Sequence, residues 1–175
     1  MVEISAVVFD CDGVLTANGS SWQNIHDNFG TENRDTLERF LNREISDDEF
    51  MAEDIRLWTA VQPRIHRDDI MRCYSGITLM AGARDVVREL QSRGIFVAIV
   101  SAGVDVFVSA IASMLKVDDW VANGFDWDEE SWLRGPRPLW STRTRRVCWS
   151  RSSLGLRGSS LRASSRWEIP APTSR

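Results

Sequence analysis

This 175-residue chain is poor in three residue types: it has three cysteines, one tyrosine and one lysine. The three cysteines, Cys11, Cys73 and Cys148, are odd in number and show no C-x-x-C spacing, so the sequence suggests neither a disulfide framework nor a zinc site. No basic and then apolar segment opens the chain, which argues against a signal peptide. These absences favour a reducing cytoplasm as the compartment.

Long apolar runs are also scarce. Residues 95–115 form the only stretch long enough to span a bilayer. Asp105 and the Ser-Ala-Gly sequence at 101–103 interrupt this stretch, a pattern typical of a buried strand, a loop and a helix. We therefore expect no membrane partner.

Charge is distributed unevenly along the chain. Residues 1–130 carry a net charge of −13, whereas residues 131–175 carry +9 and contain 10 arginines, 10 serines and 4 tryptophans without a sustained period. This composition predicts a disordered basic tail over residues 134–175. Arginines interleaved with tryptophans also occur in proteins that bind nucleic acid. No recognisable fold would hold the segment, so we do not expect nucleic acid as a partner.

The pattern before the tail predicts an α/β fold. Residues 6–9 form a short apolar run that ends in Asp-Cys-Asp-Gly, as a buried parallel strand would. Residues 20–74 are helical in pattern, with a capping box predicted from Ser46 to Glu49. The rest predicts alternating helices and strands, at 83–93, 95–100, 104–115 and 119–123, and a short hairpin at 125–133. We therefore predict a core of residues 1–19 and 75–133, with residues 20–74 as an inserted cap.

The loop after the first strand carries the first chemical motif. A carboxylate beside a divalent cation can attack phosphorus, and a second carboxylate two residues later can move a proton to and from the reacting oxygens. An ordinary Asx-type turn is the competing interpretation. The sequence from Asp10 to Thr16, D-C-D-G-V-L-T, resembles the first motif of the haloacid dehalogenase superfamily, D-x-D-G-x-[LV]-T. A preceding apolar strand and a second motif favour the resemblance.

The resemblance implies a Rossmann-like parallel sheet and an aspartyl-phosphate intermediate. Asp10 would be the nucleophile and Asp12 the general acid and base. Mg2+ would be held by the Asp10 carboxylate and the Asp12 backbone carbonyl. A dehalogenase has no leaving oxygen to protonate, so Asp12 favours phosphoryl chemistry over dehalogenation.

The second motif is Ser101-Ala102-Gly103, at the end of the strand predicted at 95–100. A hydroxyl and backbone N–H groups at this position can bind phosphate. About ninety residues separate the two motifs, with a helical insertion between them. This arrangement resembles the phosphoserine phosphatase branch, which implies a small helical cap after the first strand and a small phosphorylated metabolite as substrate.

The chain departs from that branch at the expected substrate contacts. Gly19 stands where the branch has a glutamate for the serine amine. Arg56 matches the arginine that binds the substrate carboxylate, although a solvated helix face also explains it. A sugar-phosphate phosphatase or mutase, or a non-catalytic phosphate-binding module with a basic arm, remain alternatives. His26 and His66 have no partner cluster in the sequence, and we expect both at the surface.

Two further motifs of the family are missing. The family needs a lysine and a G-D-x-x-x-D sequence, but Lys116 lies too close to the second motif and Glu168 is the only acidic residue after Glu130. A frameshift explains the loss. Codons for residues 166–175, shifted by two bases, can encode Val-Gly-Asp-Ser-Ser-Ala-Asp-Val-Pro, and those for residues 140–147 can encode Val-Asp-Pro-Tyr-Glu-Lys-Gly. We therefore predict that residues from about Leu133 to Arg175 are out of frame and that the chain is inactive or crippled.

Overall fold

A computed structural model describes residues 4–17 and 19–137 of the chain. The described residues form four strands and six helices: β1 (Ala6–Phe9), α1 (Ser21–Phe29), α2 (Arg34–Leu41), α3 (Asp47–Val61), α4 (Arg67–Arg72), α5 (Ala83–Ser92), β2 (Phe96–Val104), α6 (Asp105–Leu115), β3 (Asp119–Trp127) and β4 (Leu133–Arg137). The α/β architecture predicted from the sequence is confirmed.

The strands form one sheet in the order β1-β2-β3-β4. β1, β2 and β3 are parallel, and β4 returns antiparallel to β3 as the predicted hairpin. Val97, Ala98 and Ile99 of β2 are fully buried, because helices cover a central parallel strand and leave no polar face. β2 continues to Val104, four residues past the predicted strand end.

The helices α1 to α4 lie between β1 and α5, where the sequence predicts a cap. The chain is pinned at the base of this insertion, where Thr16 and Leu79 form an isolated antiparallel bridge. The capping box that begins α3 is present as predicted: the Glu49 N–H donates to Ser46 Oγ at 3.3 Å, and the Ser46 N–H donates to Glu49 Oε2 at 2.8 Å.

Aromatic side chains fill the space between the cap and the sheet. Trp58 of α3 is fully buried, and its ring packs edge-on against that of Phe125 in β3. The expectation that His26 lies at the surface is wrong, because His26 is 1% exposed and accepts a hydrogen bond from Trp58 Nε1 at 3.2 Å. His66, which is partly exposed, caps the start of α4 by accepting from the Asp68 N–H.

Regular structure continues to Arg137, four residues past the predicted core end at residue 133. Residues 138–175 lie outside the described part, so the frameshift, the basic tail beyond Arg137 and its nucleic-acid alternative stay predictions. Among the described residues, β1 pairs with β2 alone, and its Val8 is 56% exposed. Within the same residues, no helix is long and apolar enough to cross a membrane.

Candidate active site

A cavity of about 350 Å³ opens where β1 and β2 end. Phe9 pairs with Ile99 in the parallel register, so Asp10 directly after β1 and Ser101 in the last part of β2 lie near each other at the carboxyl ends of the two strands. The described residues that line the cavity are Asp10, Asp12, Gly13, Gly19, Ser20, Trp22, Ser101, Ala102 and Gly103. The structure thus brings together all the predicted site residues except Arg56.

The two aspartates have different surroundings. Asp10 is exposed, and its Oδ1 accepts a hydrogen bond from the Cys11 N–H at 2.7 Å. Asp12 is half-buried, and its Oδ2 accepts from both the N–H and the hydroxyl of Ser21 at 2.7 Å. Burial raises the pKa of Asp12 and the Asp10 charge adds to this, while the hydrogen bonds from Ser21 oppose the rise. The environment therefore favours a proton on Asp12.

Cys11, between the two aspartates, does not compete as a nucleophile. Its side chain is fully buried, and burial together with the Asp12 and Asp10 charges raises its thiol pKa to about 12. A thiol attacks as the thiolate, which such a pKa suppresses at neutral pH. This leaves the carboxylate of Asp10 as the candidate nucleophile of the loop.

Gly103 allows the two motif loops to approach each other. A β-carbon built on Gly103 would lie 2.8 Å from Ser21 Oγ, closer than real β-carbons come, and 3.0 Å from Asp12 Oδ2, so these side chains would have to shift. Glycine is therefore favoured here for steric reasons and not for its backbone angles. Its packing keeps the Asp12 carboxylate beside the second motif.

Ser101 is 2% exposed, and its Oγ accepts a hydrogen bond from the Gly103 N–H at 3.1 Å. The hydroxyl proton is then left to donate to a ligand. The Gly103 N–H, which the sequence suggested as a second phosphate donor, is used inside the loop. Trp22 Nε1 and Asn123 Nδ2 each donate to the Ala102 carbonyl at 3.0 Å and so hold the loop in place.

A family model for haloacid dehalogenase-like hydrolases matches residues 4–139. The chain belongs to this family. No curated protein matches the chain. The match covers both motifs on which the family resemblance was based.

Solved structures of this fold include two phosphoserine phosphatases. One, determined as a phospho-aspartyl intermediate analogue, has 21% identity and a TM-score of 0.58 over 78% of this chain. The other, a substrate-bound complex, has 20% identity and a TM-score of 0.59 over 79% of this chain. The chain spans 64% of the length of each. A hydrolase from Salmonella enterica serovar Typhi gives 14% identity and a TM-score of 0.62 over 75% of this chain and 45% of its own.

The oxygen donors of this haloacid dehalogenase-like hydrolase suit Mg2+ in kind but not in number. The Asp10 carboxylate and the Asp12 carbonyl are hard oxygen ligands of the type that Mg2+ prefers. Within residues 4–17 and 19–137, however, no group of three or more His, Cys, Asp or Glu side chains is placed to hold a metal ion. The described residues thus supply only part of a magnesium site.

The predicted substrate arginine lies elsewhere. Arg56 does not line the cavity, and its guanidinium is 64% exposed and pairs with Glu53 at 2.6 Å. Arg56 stands two positions before Trp58 on α3, so the two side chains project from nearly opposite faces of the helix. The contacts support the alternative of a solvated helix face, and the binding role of Arg56 stays a prediction.

The sole lysine is far from the strand ends that carry the site. Lys116 ends α6, which starts at the end of β2 and runs back to the beginning of β3. Its carbonyl accepts from Gln91 Nε2 of α5 at 2.8 Å. Lys116 therefore lies near the amino end of β3, whereas Asp10 follows the carboxyl end of β1, and the lysine cannot serve that site.

Ser21 and Trp22 are site residues that the sequence analysis missed. Both lie at the start of α1, in the segment predicted only as a helical cap. Ser20 and Ser21 suit a helix start, but this pattern does not indicate which loop the helix will contact. The contacts of Ser21 with Asp12 and of Trp22 with Ala102 exist only in the folded chain.

Proposed function

We propose that this chain derives from a magnesium-dependent phosphomonoester hydrolase that works through an aspartyl phosphate. The observation that carries the proposal is the convergence of Asp10, Asp12 and Ser101 on one cavity near the carboxyl ends of β1 and β2. Open α/β sheets bind their ligands at the carboxyl ends of their strands. Membership of a hydrolase family supports the same chemistry.

In the proposed reaction, a carboxylate oxygen of Asp10 attacks the phosphorus of the ester. The bond from phosphorus to the leaving oxygen breaks, and that oxygen takes a proton from Asp12. Water then attacks the phosphorus of the aspartyl phosphate, gives its proton to Asp12 and releases Asp10. The raised pKa of Asp12 suits the first step, because a general acid must hold a proton before it can donate one.

Ser101 would bind a phosphoryl oxygen through its hydroxyl proton, which the hydrogen bond accepted from Gly103 orients. Mg2+, held by Asp10 and Asp12, would supply positive charge that offsets the repulsion between carboxylate and phosphate. Ser21 would hold Asp12 in position, because its hydroxyl and N–H both bind the same carboxylate oxygen.

We further propose that the chain as translated is inactive or nearly so. No acidic residue except Glu168 follows Glu130, and Lys116 lies near the amino ends of the strands, away from the cavity. A missing metal ligand and a missing lysine act on the same charged intermediate, so their effects combine into one severe defect. The frameshift from about Leu133 accounts for both losses.

A small phosphorylated metabolite in the cytoplasm is the proposed substrate. Cys11 and Cys73 are free thiols, as a reducing compartment would keep them. One of the similar structures is a substrate-bound phosphoserine phosphatase complex, which supports this class of substrate. The cavity, not the fold, decides which phosphate ester is taken.

The test is a turnover assay with a generic aryl phosphate and with phosphoserine in the presence of Mg2+. Three proteins are compared: the chain as given, a chain with the reading frame restored, and the restored chain carrying Asp10→Asn. We expect activity in the restored chain alone. Strong activity in the given chain would overturn the proposed defect, and an inactive restored chain would overturn the proposed function.

A further inference from the structure

The wall of the cavity contains one large aromatic surface, supplied by Trp22. We infer that the phosphate ester taken by this site has a neutral leaving group with a flat apolar face, and that Trp22 selects it. This inference rests on the proposed phosphatase function and specifies its substrate class. It departs from phosphoserine, whose leaving group carries both an amine and a carboxylate.

Trp22 is held rigidly from several sides. Its Nε1 donates to the Ala102 carbonyl at 3.0 Å, which satisfies the one polar atom of the indole. Its ring stacks on Trp58 with centroids 6.0 Å apart and planes 20° apart, and it meets the edge of Phe125 at 5.6 Å. The Trp22 side chain is partly buried against the core and lines the cavity, so what it offers a ligand is fixed apolar surface. An aromatic side chain that is already held in place binds a flat apolar group without the entropy cost of ordering that side chain.

The cavity offers no positively charged partner for a leaving-group carboxylate among its described lining residues. Its only charged side chains are Asp10 and Asp12, which would repel that carboxylate and which the proposed reaction already uses at the phosphoryl group. Gly19 lines the cavity without a side chain, and a β-carbon built there would meet nothing within 4 Å. Arg56 points away and pairs with Glu53. A desolvated carboxylate without a counter-charge binds poorly, whereas a neutral apolar group avoids that penalty.

The inference is tested by calorimetry of phosphonate binding, in millimolar Mg2+, to the full chain and to the chain with the reading frame restored, which would supply the metal ligand and the lysine that the given chain is proposed to lack. The probes are inorganic phosphate, methylphosphonate, phenylphosphonate and 2-amino-3-phosphonopropanoate, which carries the amine and carboxylate of phosphoserine. Because all share the phosphoryl contacts, ratios of Kd isolate the contribution of the leaving group. We expect phenylphosphonate to bind roughly threefold to tenfold more tightly than methylphosphonate, and the amino-acid analogue to gain nothing.

Variants assign the preference to Trp22. Trp22→Leu should bring the ratio of phenylphosphonate to methylphosphonate affinity close to one, whereas Trp22→Phe, which keeps an aromatic ring, should retain most of it. Trp120→Leu is the matched control, because Trp120 is 38% exposed on β3 and does not line the cavity. Inorganic phosphate binding by Trp22→Leu shows that the phosphate site of the variant is still folded, and the Trp22→Phe result stands if Trp22→Leu does not fold.

The outcomes separate this inference from the proposed function. Phosphate binding without an aromatic preference, tightest binding by the amino-acid analogue, or an unchanged ratio in Trp22→Leu would overturn the inference alone. Failure of inorganic phosphate and of every phosphonate to bind the restored chain, with and without Mg2+, would overturn the phosphate site and the inference with it.

Discussion

Ser21 links the two motif loops through a single hydroxyl group. Its Oγ donates to Asp12 Oδ2 at 2.7 Å and accepts from the Val104 N–H at 3.0 Å. The first residue of α1 thereby holds Asp12 of the first motif against the strand of the second. This contact depends on the close approach of Gly103, where any side chain would displace it.

Gly103→Ala should lower the free energy of unfolding by about 1–3 kcal/mol, because its methyl group would overlap Ser21 Oγ and Asp12 Oδ2. Urea unfolding measures the change. Gly135→Ala is the matched control, since a β-carbon built at Gly135 of β4 meets nothing within 4 Å. Equal effects of the two substitutions would show that the close approach at Gly103 is not as described.

Asp12→Asn should raise the free energy of unfolding at pH 7. Burial, and then the Asp10 charge, raises the pKa of folded Asp12 above its ordinary value of 3.8, so between the unfolded and the folded pKa the native state binds more protons than the unfolded chain, and above both the ionised carboxylate destabilises the native state. The free energy of unfolding of the wild type therefore falls as pH rises from the unfolded pKa through the folded one. The advantage of Asp12→Asn should shrink as pH is lowered towards 4.

Asp128→Asn is the control of opposite sign. The Trp132 N–H, with the Glu130 N–H and Arg134, holds the pKa of Asp128 below its usual range. Its ionised form stabilises the native state above the unfolded pKa, and that stabilisation is lost as pH falls through the folded pKa. Asp128→Asn should thus be less stable than wild type at pH 7. Unfolding titrations from pH 4 to 8 compare both variants, and parallel pH profiles would contradict the account.

At the scale of elements, a buried pair of side chains joins α1 to α3. His26 Nε2 lies 3.2 Å from Asp54 Oδ1, and the two side chains are 1% and 0% exposed. Trp58 Nε1 donates to His26 Nδ1, which leaves Nε2 to carry the proton that faces Asp54. Asn33 Nδ2 also donates to Asp54, at 2.7 Å.

Asp54→Ala should lower the free energy of unfolding by roughly 1–3 kcal/mol, because it leaves the Asn33 amide without its acceptor and removes the carboxylate that faces His26 Nε2. Thermal and urea unfolding measure this loss. Asp48→Ala removes an exposed acid from the same helix and should have a small effect. A similar loss in both variants would mean that the pair does not hold α1 against α3.

Elements with a local signal were predictable from the sequence. β1 has the predicted bounds because four apolar residues end abruptly at Asp10, and α3 begins at the predicted capping box. β2 was predicted too short, since the Ser-Ala-Gly sequence has the composition of a loop, yet Val104 pairs with Asn123 and extends the strand. Tertiary pairing overrode the local preference there.

The candidate site also contains residues that the sequence predicts and residues that it does not. Asp10, Asp12 and Ser101 follow the strands predicted at 6–9 and 95–100, so the sequence alone places them at the carboxyl ends of the sheet strands, where they line one cavity. The part played by Trp22 depends on contacts with Ala102 and Phe125, which are far away in sequence and leave no periodic pattern. The burial of His26 was missed for this reason too.

At the scale of the whole molecule, the open edge of β1 is the main structural liability. No described strand lies on its other side, and Val8 and Ile4 are 56% and 62% exposed. An apolar edge of this kind invites pairing with another chain. Val8→Lys should therefore reduce concentration-dependent light scattering without lowering stability. Val86→Lys makes the same change on α5, at a position 50% exposed, and should not reduce the scattering. Equal effects of the two substitutions would show that β1 is not the origin of the aggregation.

At the same scale, the proposed reaction depends on Asp10 becoming phosphorylated. The most direct measurement is peptide mass spectrometry of the restored-frame chain, quenched in acid during turnover of an aryl phosphate with Mg2+. We predict one phosphoryl group on the peptide that contains Asp10, and none there in Asp10→Asn or in the chain as given. A phosphoryl group on Ser101 instead, or full turnover by Asp10→Asn, would contradict the account.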